Sequence, residues 1–193
     1  MSPKEEKKHI RKDLKKRLKE MTPLEKARAD ARIVALIRKS DAYQNAASVF
    51  CFVSMPEEVD THPLLDSILK EGKTLVVPRI TGPGQMDLVP LERLDAMTPD
   101  RFGILEPAAD LPTIEKDAID LAIVPCLGAT RDGRRLGRGG GFYDRFLRDY
   151  KGEALLVVYE AMLIEDVPME PWDVALPHVV TEKGVFPQCP AAR

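Results

Sequence analysis

Apolar residues in the first forty positions recur at helical spacing. One stripe predicts a helix over residues 4–20, and its members are Ile10, Leu14, Leu18 and Met21. A second helix is predicted to start after Thr22, because Thr suits the N-cap, Pro23 the first helical position and Glu25 the third. This helix is predicted to run to about Arg38. Its inward face is predicted to comprise Leu24, Ala27, Ala31, Val34 and Ile37.

From residue 47 onward the pattern changes to short, nearly continuous apolar runs separated by helical segments. Such runs are typical of strands that are covered on both faces. Strands are predicted at residues 47–54, 74–80, 120–125 and 154–160, with a short strand at 86–89 inside the Gly- and Pro-rich stretch 81–112. Helices are predicted at residues 61–71, closed by Gly72, and at 141–150.

The alternation of buried strands and helices predicts the fold class. We expect a three-layer α/β/α domain with a mostly parallel central sheet and a basic N-terminal helix. Residues 1–193 are expected to form this single domain, with 187–193 as a loose tail. Ligands in such folds bind beyond the carboxyl ends of the strands. The site is therefore expected in the segments that follow the strands, at residues 54–60, 78–79, 125–144 and from 160 onward.

Composition excludes several classes of function. The formal net charge is −2, which creates no overall field toward nucleic acid or membranes, although 14 of the 29 Lys and Arg lie in the first forty residues. Three scattered cysteines without CxxC spacing argue against a disulfide framework and against structural zinc. No apolar run approaches the roughly 20 residues that span a bilayer, and the first residues lack the apolar stretch of a secretory signal. We therefore expect a cytoplasmic protein.

The segment 133–145 (GRRLGRGGGFYDR) carries the strongest chemical signal. Its glycines allow backbone N–H groups to approach a phosphate, and the predicted helix after them points its positive end at the same place. Arg135 and Arg138 add planar donors for phosphate oxygens, and Asp144 is suited to the Mg²⁺ that accompanies a nucleotide.

Two familiar nucleotide motifs do not fit this segment. A Walker A loop is excluded because no Gly-Lys-Ser/Thr follows the glycines, and a dinucleotide fingerprint because Phe142 stands where its third glycine belongs. On these residues alone, a flexible surface loop or a basic patch for nucleic acid stays open.

As a whole string, residues 135–144 closely resemble the hallmark of the 5-formyltetrahydrofolate cyclo-ligase family, also called methenyltetrahydrofolate synthetases. That hallmark reads Arg-Leu-Gly-x-Gly-x-Gly-[Phe/Tyr]-Tyr-Asp, and each fixed position is matched. The resemblance extends along most of the chain in the same order. Its further matches are Lys7 to Arg11, residues 54–61 (SMPEEVDT), Gly72-Lys73, Pro78-Arg79, Glu106-Pro107 and Asp173.

The resemblance implies an enzyme that uses ATP and Mg²⁺ to convert 5-formyltetrahydrofolate to 5,10-methenyltetrahydrofolate, with release of ADP and phosphate. The formyl oxygen would be phosphorylated, and N10 would close the ring. Catalytic roles are implied for Glu58, Arg138 and Tyr143, folate binding for Met55, Glu58 and Tyr143, and metal binding for Asp144 and Asp173. The implied ATP-binding residues are Lys7, Arg11, Arg135, Leu136, Gly137, Arg138, Gly139, Gly140, Gly141, Phe142 and Tyr143.

The first helix is expected to present two different faces. Lys7 and Arg11 are four residues apart and share a face beside the apolar stripe, so that both cations can point at triphosphate oxygens while the stripe is buried. Four further lysines of this helix are expected to face solvent, namely Lys12, Lys15, Lys16 and Lys19.

The chain also departs from the family pattern. Pro125-Cys-Leu-Gly-Ala-Thr130 stands where Pro-Gly-Leu-Ala-Phe-Asp is usual, so Ala129 replaces an aromatic and Thr130 an acid. The lone Trp172, expected to close the core, precedes Asp173 in place of a polar residue. These departures leave open an ATP-dependent ligase-like paralogue with a different small substrate. The Gly- and Arg-rich loop and the basic first helix leave open a non-catalytic nucleotide- or RNA-binding descendant. We expect small-molecule partners without nucleic acid or membrane, and a monomer or weak homodimer.

Overall fold

A computed structural model describes residues 2–99 and 104–187; the end of the predicted tail, 188–193, lies outside the described residues. The helices are α1 (Pro3–Glu20), α2 (Pro23–Lys39), α3 (Asp41–Asn45), α4 (His62–Lys70) and α5 (Phe142–Leu147). The first six strands are β1 (Ser48–Cys51), β2 (Thr74–Gly82), β3 (Gln85–Leu91), β4 (Met97–Pro99), β5 (Leu105–Pro107) and β6 (Leu121–Pro125). The others are β7 (Gly128–Ala129), β8 (Arg135–Leu136), β9 (Glu153–Val157), β10 (His178–Thr181) and β11 (Gly184–Pro187).

Seven strands form the central sheet, in the order β11-β10-β9-β6-β1-β2-β3. The five inner strands run parallel, whereas β3 and β11 pair antiparallel at the two edges. At the centre, Val49 of β1 lies between Leu75 of β2 and Leu121 of β6. Both β1 and β6 are buried along their whole length, as their continuous apolar runs indicate. The predicted α/β class with a mostly parallel sheet is confirmed.

The start signals of the first two helices act as the sequence indicates. The side chains of Ser2 and Thr22 each accept a hydrogen bond from the backbone N–H of a Glu three residues on, and each Glu reaches back to the cap. These capping boxes satisfy N–H groups that the first turn leaves unpaired. The apolar stripe of α1 also faces the core. Leu14 is buried, and Ile10, Leu18 and Met21 are partly buried and pack against the core.

The predicted inward face of α2 is wrong at three of its five positions. Val34 and Ile37 are buried, but Leu24 is 60% exposed, and Ala27 and Ala31 are exposed. The buried stripe instead comprises Ala29, Ile33, Val34 and Ile37. Burying an isoleucine removes far more apolar surface from water than burying an alanine, so Ile33 and Ile37 decide the orientation of the helix.

Other predictions hold in kind but not in extent. The helix predicted at 141–150 ends at Leu147, and Asp149 adopts a left-handed conformation just beyond it. The strand at 86–89 is longer than predicted and forms an antiparallel hairpin with β2. The hairpins β4–β5, β7–β8 and β10–β11 and the short helix α3 are elements that the apolar pattern does not predict.

Trp172 does not close the core, because its side chain is 54% exposed. Large residues that are fully buried include Tyr43, Phe50, Leu64, Ile68 and Ile123, which come from α3, α4 and the two central strands. Within the described ranges, none of the helices has both the length and the apolar character needed to cross a membrane.

Candidate active site

A narrow cavity lies where the carboxyl ends of β1, β6 and β9 meet α1. Its walls are mainly apolar and include Leu14, Phe52, Leu127 and Met162. The carboxylate residues Glu57 and Glu58 also line it, from the turn that follows β1. The cavity thus lies beyond the strand ends, where ligands collect in parallel α/β sheets.

The glycine-rich loop, residues 137–141, connects β8 to α5 beside this cavity. Gly139 has a φ of 99° and Gly141 a φ of 70°, in the left-handed region that favours glycine. A Cβ atom at Gly140 would lie 2.5 Å from the ring of Phe142. The backbone conformation therefore favours glycine at positions 139 and 141, whereas a larger residue at position 140 would require the Phe142 ring to shift.

Arg138 joins the glycine-rich loop to the turn after β1. Its Nε donates to Oε1 of Glu58 at 3.1 Å, and its Nη1 donates to Oε2 of Glu57 at 3.4 Å. The Glu58 side chain is only 9% exposed, and its Oε2 accepts a hydrogen bond from the backbone N–H of Met55 at 3.0 Å. A buried carboxylate requires such partners. The structure therefore brings Met55, Glu58 and Arg138 together.

Arg135 lies deeper in the same region. Its side chain is 3% exposed, its Nη2 donates to Oδ1 of Asp144, and its guanidinium carbon lies 5.9 Å from the centre of the Tyr143 ring. Burial, followed by the charge of Glu58, raises the pKa of Tyr143, so its hydroxyl stays protonated. In the part of the chain that is described, the buried Nε of Arg135 has no hydrogen-bond partner. An unpaired buried donor is costly, and a ligand oxygen would satisfy it.

The two predicted cations of α1 both reach this region, with different partners. Lys7 Nζ lies 2.5 Å from Oδ2 of Asp173 and 2.7 Å from Oε2 of Glu170, and its side chain is 7% exposed. Burial alone lowers the pKa of Lys7, but the hydrogen bonds to Asp173 and Glu170 outweigh it, so the pKa is raised. Arg11 donates from Nε to the carbonyl oxygen of Gly137 at 2.9 Å and therefore contacts the glycine-rich loop directly.

The two predicted metal ligands lie near each other. The backbone N–H of Val174, the residue after Asp173, donates to Oδ1 of Asp144 at 3.4 Å. Each carboxylate already bonds a cation, Asp144 to Arg135 and Asp173 to Lys7. Among residues 2–99 and 104–187, no cluster of three or more His, Cys, Asp or Glu could hold a metal. A metal at Asp144 and Asp173 therefore stays a prediction.

Some contacts of the site are not indicated by the sequence, and one predicted side chain lies elsewhere. Glu57 pairs with Arg138, and Glu170 pairs with Lys7. Glu57 is next to the predicted site residue Glu58 in the sequence, whereas Glu170 is not next to any predicted site residue. Arg145, just after the motif, donates to the carbonyl oxygens of Gly140 and Gly84 and so ties the β2–β3 hairpin to the glycine-rich loop. Leu136 is 1% exposed in the core, so only its backbone can face a nucleotide.

The departures at Ala129 and Thr130 belong to the β7–β8 hairpin. Ala129 pairs with Arg135 and is fully buried. The Thr130 hydroxyl donates to Asp132 and accepts from the backbone N–H of Arg134 at 3.0 Å, which closes the hairpin turn. Cys126, in contrast, lines the cavity. Of these three residues, Cys126 is therefore the one that lines the cavity.

The chain is similar to known proteins in sequence and in fold. The chain is 32% identical to a 5-formyltetrahydrofolate cyclo-ligase of Escherichia coli K12, over 73% of this chain and 81% of the relative. It is 31% identical to a mitochondrial 5-formyltetrahydrofolate cyclo-ligase of Arabidopsis thaliana, over 97% of this chain and 78% of the relative. The NMR structure of a 5,10-methenyltetrahydrofolate synthetase from Aquifex aeolicus superposes with a TM-score of 0.84 at 28% identity, covering 97% of this chain and 95% of the other.

A structure from Mycoplasma pneumoniae, described as a 5,10-methenyltetrahydrofolate synthetase, shares the fold with a TM-score of 0.72 at 21% identity, over 91% of this chain and 98% of the other. The sequence profile of the 5-formyltetrahydrofolate cyclo-ligase family matches residues 3–182. This match covers nearly the whole chain, including α1, the turn after β1 and the glycine-rich loop. The chain belongs to the 5-formyltetrahydrofolate cyclo-ligase family.

Proposed function

We propose that the chain catalyses the ATP-dependent conversion of 5-formyltetrahydrofolate to 5,10-methenyltetrahydrofolate, with release of ADP and phosphate. Family membership supports the reaction class. The observation that carries the proposal is the contact between Arg138 and Glu58. Arg138 is proposed to bind phosphate and Glu58 to bind folate, and their contact supports two adjacent subsites, between which a phosphoryl group could pass to the formyl oxygen.

The reaction needs ATP because an amide-like formyl oxygen is a poor leaving group. Transfer of the γ-phosphoryl group to this oxygen releases ADP and leaves an iminium phosphate at N5. N10 then attacks the formyl carbon and loses its proton, the carbon–oxygen bond breaks, and phosphate departs. Catalysis of such a transfer rests mainly on positioning and on neutralising charge.

The residues near the cavity suit these tasks. The unpaired Nε of Arg135, the guanidinium of Arg138 and the backbone of the glycine-rich loop are donors for phosphate oxygens. Glu58 is an acceptor for N–H groups of the folate ring, and protonated Tyr143 is a neutral neighbour of both subsites. Some family members carry Lys at the position of Gly140, so here Arg138, Arg11 and Lys7 supply the positive charge.

Mg²⁺ belongs to this proposal as the ion that accompanies ATP. Asp144 and Asp173 fit it, since they offer neighbouring hard carboxylate oxygens and Mg²⁺ is commonly held by one or two carboxylates plus substrate phosphates. Bound there, the ion would offset the negative charge of the phosphates. Asp144 also orients Arg135, and Asp173 also holds Lys7.

The assay is the rise in methenyltetrahydrofolate absorbance when the protein receives 5-formyltetrahydrofolate, ATP and Mg²⁺. Glu58→Gln is expected to reduce this rate strongly, because it removes a buried acceptor charge from the cavity. Glu92→Gln, an exposed position outside the cavity lining, is the control and should retain the rate. A flat trace from well-folded unaltered protein would refute the proposed reaction.

A second candidate, a ligase-like paralogue with a shifted small substrate, is favoured by Cys126, which lines the cavity where the family usually has Gly. Burial raises the pKa of Cys126 to about 12, so the thiol is neutral and acts through its volume. Cys126→Gly with a panel of formylated and carboxylated substrates tests this candidate. An RNA-binding descendant would instead show salt-dependent binding in a filter titration. The cytoplasmic location and the monomeric or weakly dimeric state stay predictions.

A further inference from the structure

Glu58 is carried by the turn between β1 and α4. Reciprocal hydrogen bonds close the base of this turn, from the N–H of Ser54 to Thr61 Oγ1 at 3.1 Å and from the N–H of Thr61 to Ser54 Oγ at 3.0 Å. The backbone N–H of Glu58 donates to the carbonyl oxygen of Met55 at 2.9 Å, and the N–H of Met55 donates to the Glu58 carboxylate at 3.0 Å. Pro56 and Glu57 between them are exposed. A displacement of about 1 Å in a substrate-contacting group is enough to impair a reaction severely, so the placement of this turn matters.

Tyr159, which follows β9 and also lines the cavity, contacts this turn through its hydroxyl. Its ring is 2% exposed, and its hydroxyl lies 2.9 Å from the carbonyl oxygen of Glu58 and 2.7 Å from Oδ1 of Asp30. The single hydroxyl proton is shared between these two acceptors. Burial, followed by the hydrogen bond to Asp30, raises the pKa of Tyr159, so the hydroxyl remains a donor.

Two residues of α2 complete this support. Asp30 Oδ1 also accepts a hydrogen bond from the backbone N–H of Asp60 at 3.1 Å. Lys26 Nζ donates to the carbonyl oxygen of Pro56 at 2.6 Å and lies 5.7 Å from the centre of the Tyr159 ring. Lys26 and Asp30 are four residues apart and therefore share one face of α2. Three side chains thus hold the turn at residues 56, 58 and 60.

We propose that Lys26, Asp30 and Tyr159, which we call the turn clamp, are positioning residues that set the place of Glu58 for the folate substrate. This inference rests on the proposed role of Glu58 and extends it to residues outside the cation-rich loop. Within the described ranges, the side-chain hydrogen bonds of the turn clamp end on the turn or on one another. Its loss should therefore affect folate binding more than ATP binding, to which the turn is linked through Arg138.

The test begins with Tyr159→Phe, which removes one hydroxyl from a buried ring. Loss of its hydrogen bond to the turn should raise KM for 5-formyltetrahydrofolate several-fold, and KM for ATP should stay within about twofold. The matched control is Tyr150→Phe, because the Tyr150 hydroxyl also donates to a carbonyl oxygen, that of Ile119 at 3.1 Å, away from the turn. Tyr150→Phe should leave both KM values unchanged.

A double-mutant cycle separates positioning from general stability. Tyr159→Phe is expected to raise the dissociation constant for 5-formyltetrahydrofolate several-fold in the unaltered background and to have little further effect in Glu58→Gln, because it acts through Glu58. Titration calorimetry measures these constants without turnover. Asp30→Ala should act in the same direction as Tyr159→Phe, and Asp30→Asn, which keeps an acceptor oxygen, should restore most of the affinity.

The positioning role would be overturned if Tyr159→Phe raised the dissociation constant for 5-formyltetrahydrofolate equally in the unaltered protein and in Glu58→Gln. Equal rises in KM for 5-formyltetrahydrofolate and for ATP would also overturn it. If Tyr159→Phe does not fold, the Asp30→Ala and Asp30→Asn pair tests the same support from a partly exposed helix position. Unaltered protein that neither binds nor converts 5-formyltetrahydrofolate would instead refute the proposed function, whereas active protein with unaffected turn-clamp variants would refute only the positioning role.

Discussion

The two faces of α1 carry the same kind of residue and have different surroundings. On one face, Lys7 is buried between Asp173 and Glu170, and Arg11 donates to the backbone of the glycine-rich loop. On the other, Lys12, Lys16 and Lys19 are exposed. The expected solvent exposure of these three lysines is present in the structure, whereas Lys15, also expected to face solvent, is exposed and lines the cavity.

The difference shows that position on the helix, and not side-chain type, decides the function of a cation here. A lysine in water interacts weakly with distant charges because solvent screens them. A lysine enclosed with two carboxylates is held in one place and links α1 to the segment 170–173. That segment adjoins Asp144 through Val174, so Lys7 also helps to fix the wall of the candidate site.

Lys7→Met should have the largest effect, since it leaves Asp173 and Glu170 without their buried partner. Removing one member of a buried ion pair costs about 3 kcal/mol of unfolding free energy, and urea denaturation measures the loss. Lys7→Arg, which keeps the charge, should lose less. A loss for Lys7→Met no greater than that for an exposed lysine would contradict the buried role.

Arg11→Ala should chiefly weaken ATP binding. Loss of a charged donor at the glycine-rich loop should weaken the binding free energy of ATP by about 1.5 kcal/mol. This corresponds to roughly a tenfold rise in the dissociation constant for ATP. Titration with a non-hydrolysable ATP analogue measures it, and Arg17→Ala, an exposed arginine on the same helix, is the control. Unchanged ATP affinity in Arg11→Ala would remove that residue from the site.

A pH series should give a smaller effect, and its sign follows from Lys7. Its pKa is raised above the ordinary value of 10.5, so the stabilisation is fully present below pH 10.5 and is lost only as the pH rises through the higher folded-state pKa. The difference in unfolding free energy between unaltered protein and Lys7→Met should therefore be the same at neutral pH and at moderately alkaline pH. A difference that shrinks well before the ordinary lysine pKa would contradict the ion pair.

The exposed face should give the smallest effect. Lys12→Ala and Lys16→Ala are expected to change the unfolding free energy by less than about 0.5 kcal/mol and to leave ATP affinity unchanged, because these side chains are solvated. Thermal unfolding and the same nucleotide titration provide the measurements. A clear loss of ATP affinity in Lys16→Ala would show that the cation site extends round the helix.

Sequence patterns predicted the parts of the fold that depend on local spacing. The capping box at Thr22, the stripe around Leu14 and the buried strands β1 and β6 follow from neighbours within a few residues. The orientation of α2 did not follow, because Leu24 and Ala31 fit a helical stripe as well as Ile33 does until the sheet selects one face. The β10–β11 hairpin is likewise decided by pairing with β9, which lies about twenty residues earlier in the chain.

In the site, the glycine-rich motif, its arginines and the acidic turn after β1 can be recognised from the sequence, since each is a contiguous string with a chemical meaning. Their partners cannot, because they depend on how the chain folds. Arg138 meets Glu58 across 80 positions, Lys7 meets Asp173 across 166, and Tyr159 supports Glu58 across 101. The physical reason is that a parallel sheet gathers distant strand ends at one edge, and no local pattern records which side chains then come within hydrogen-bond distance.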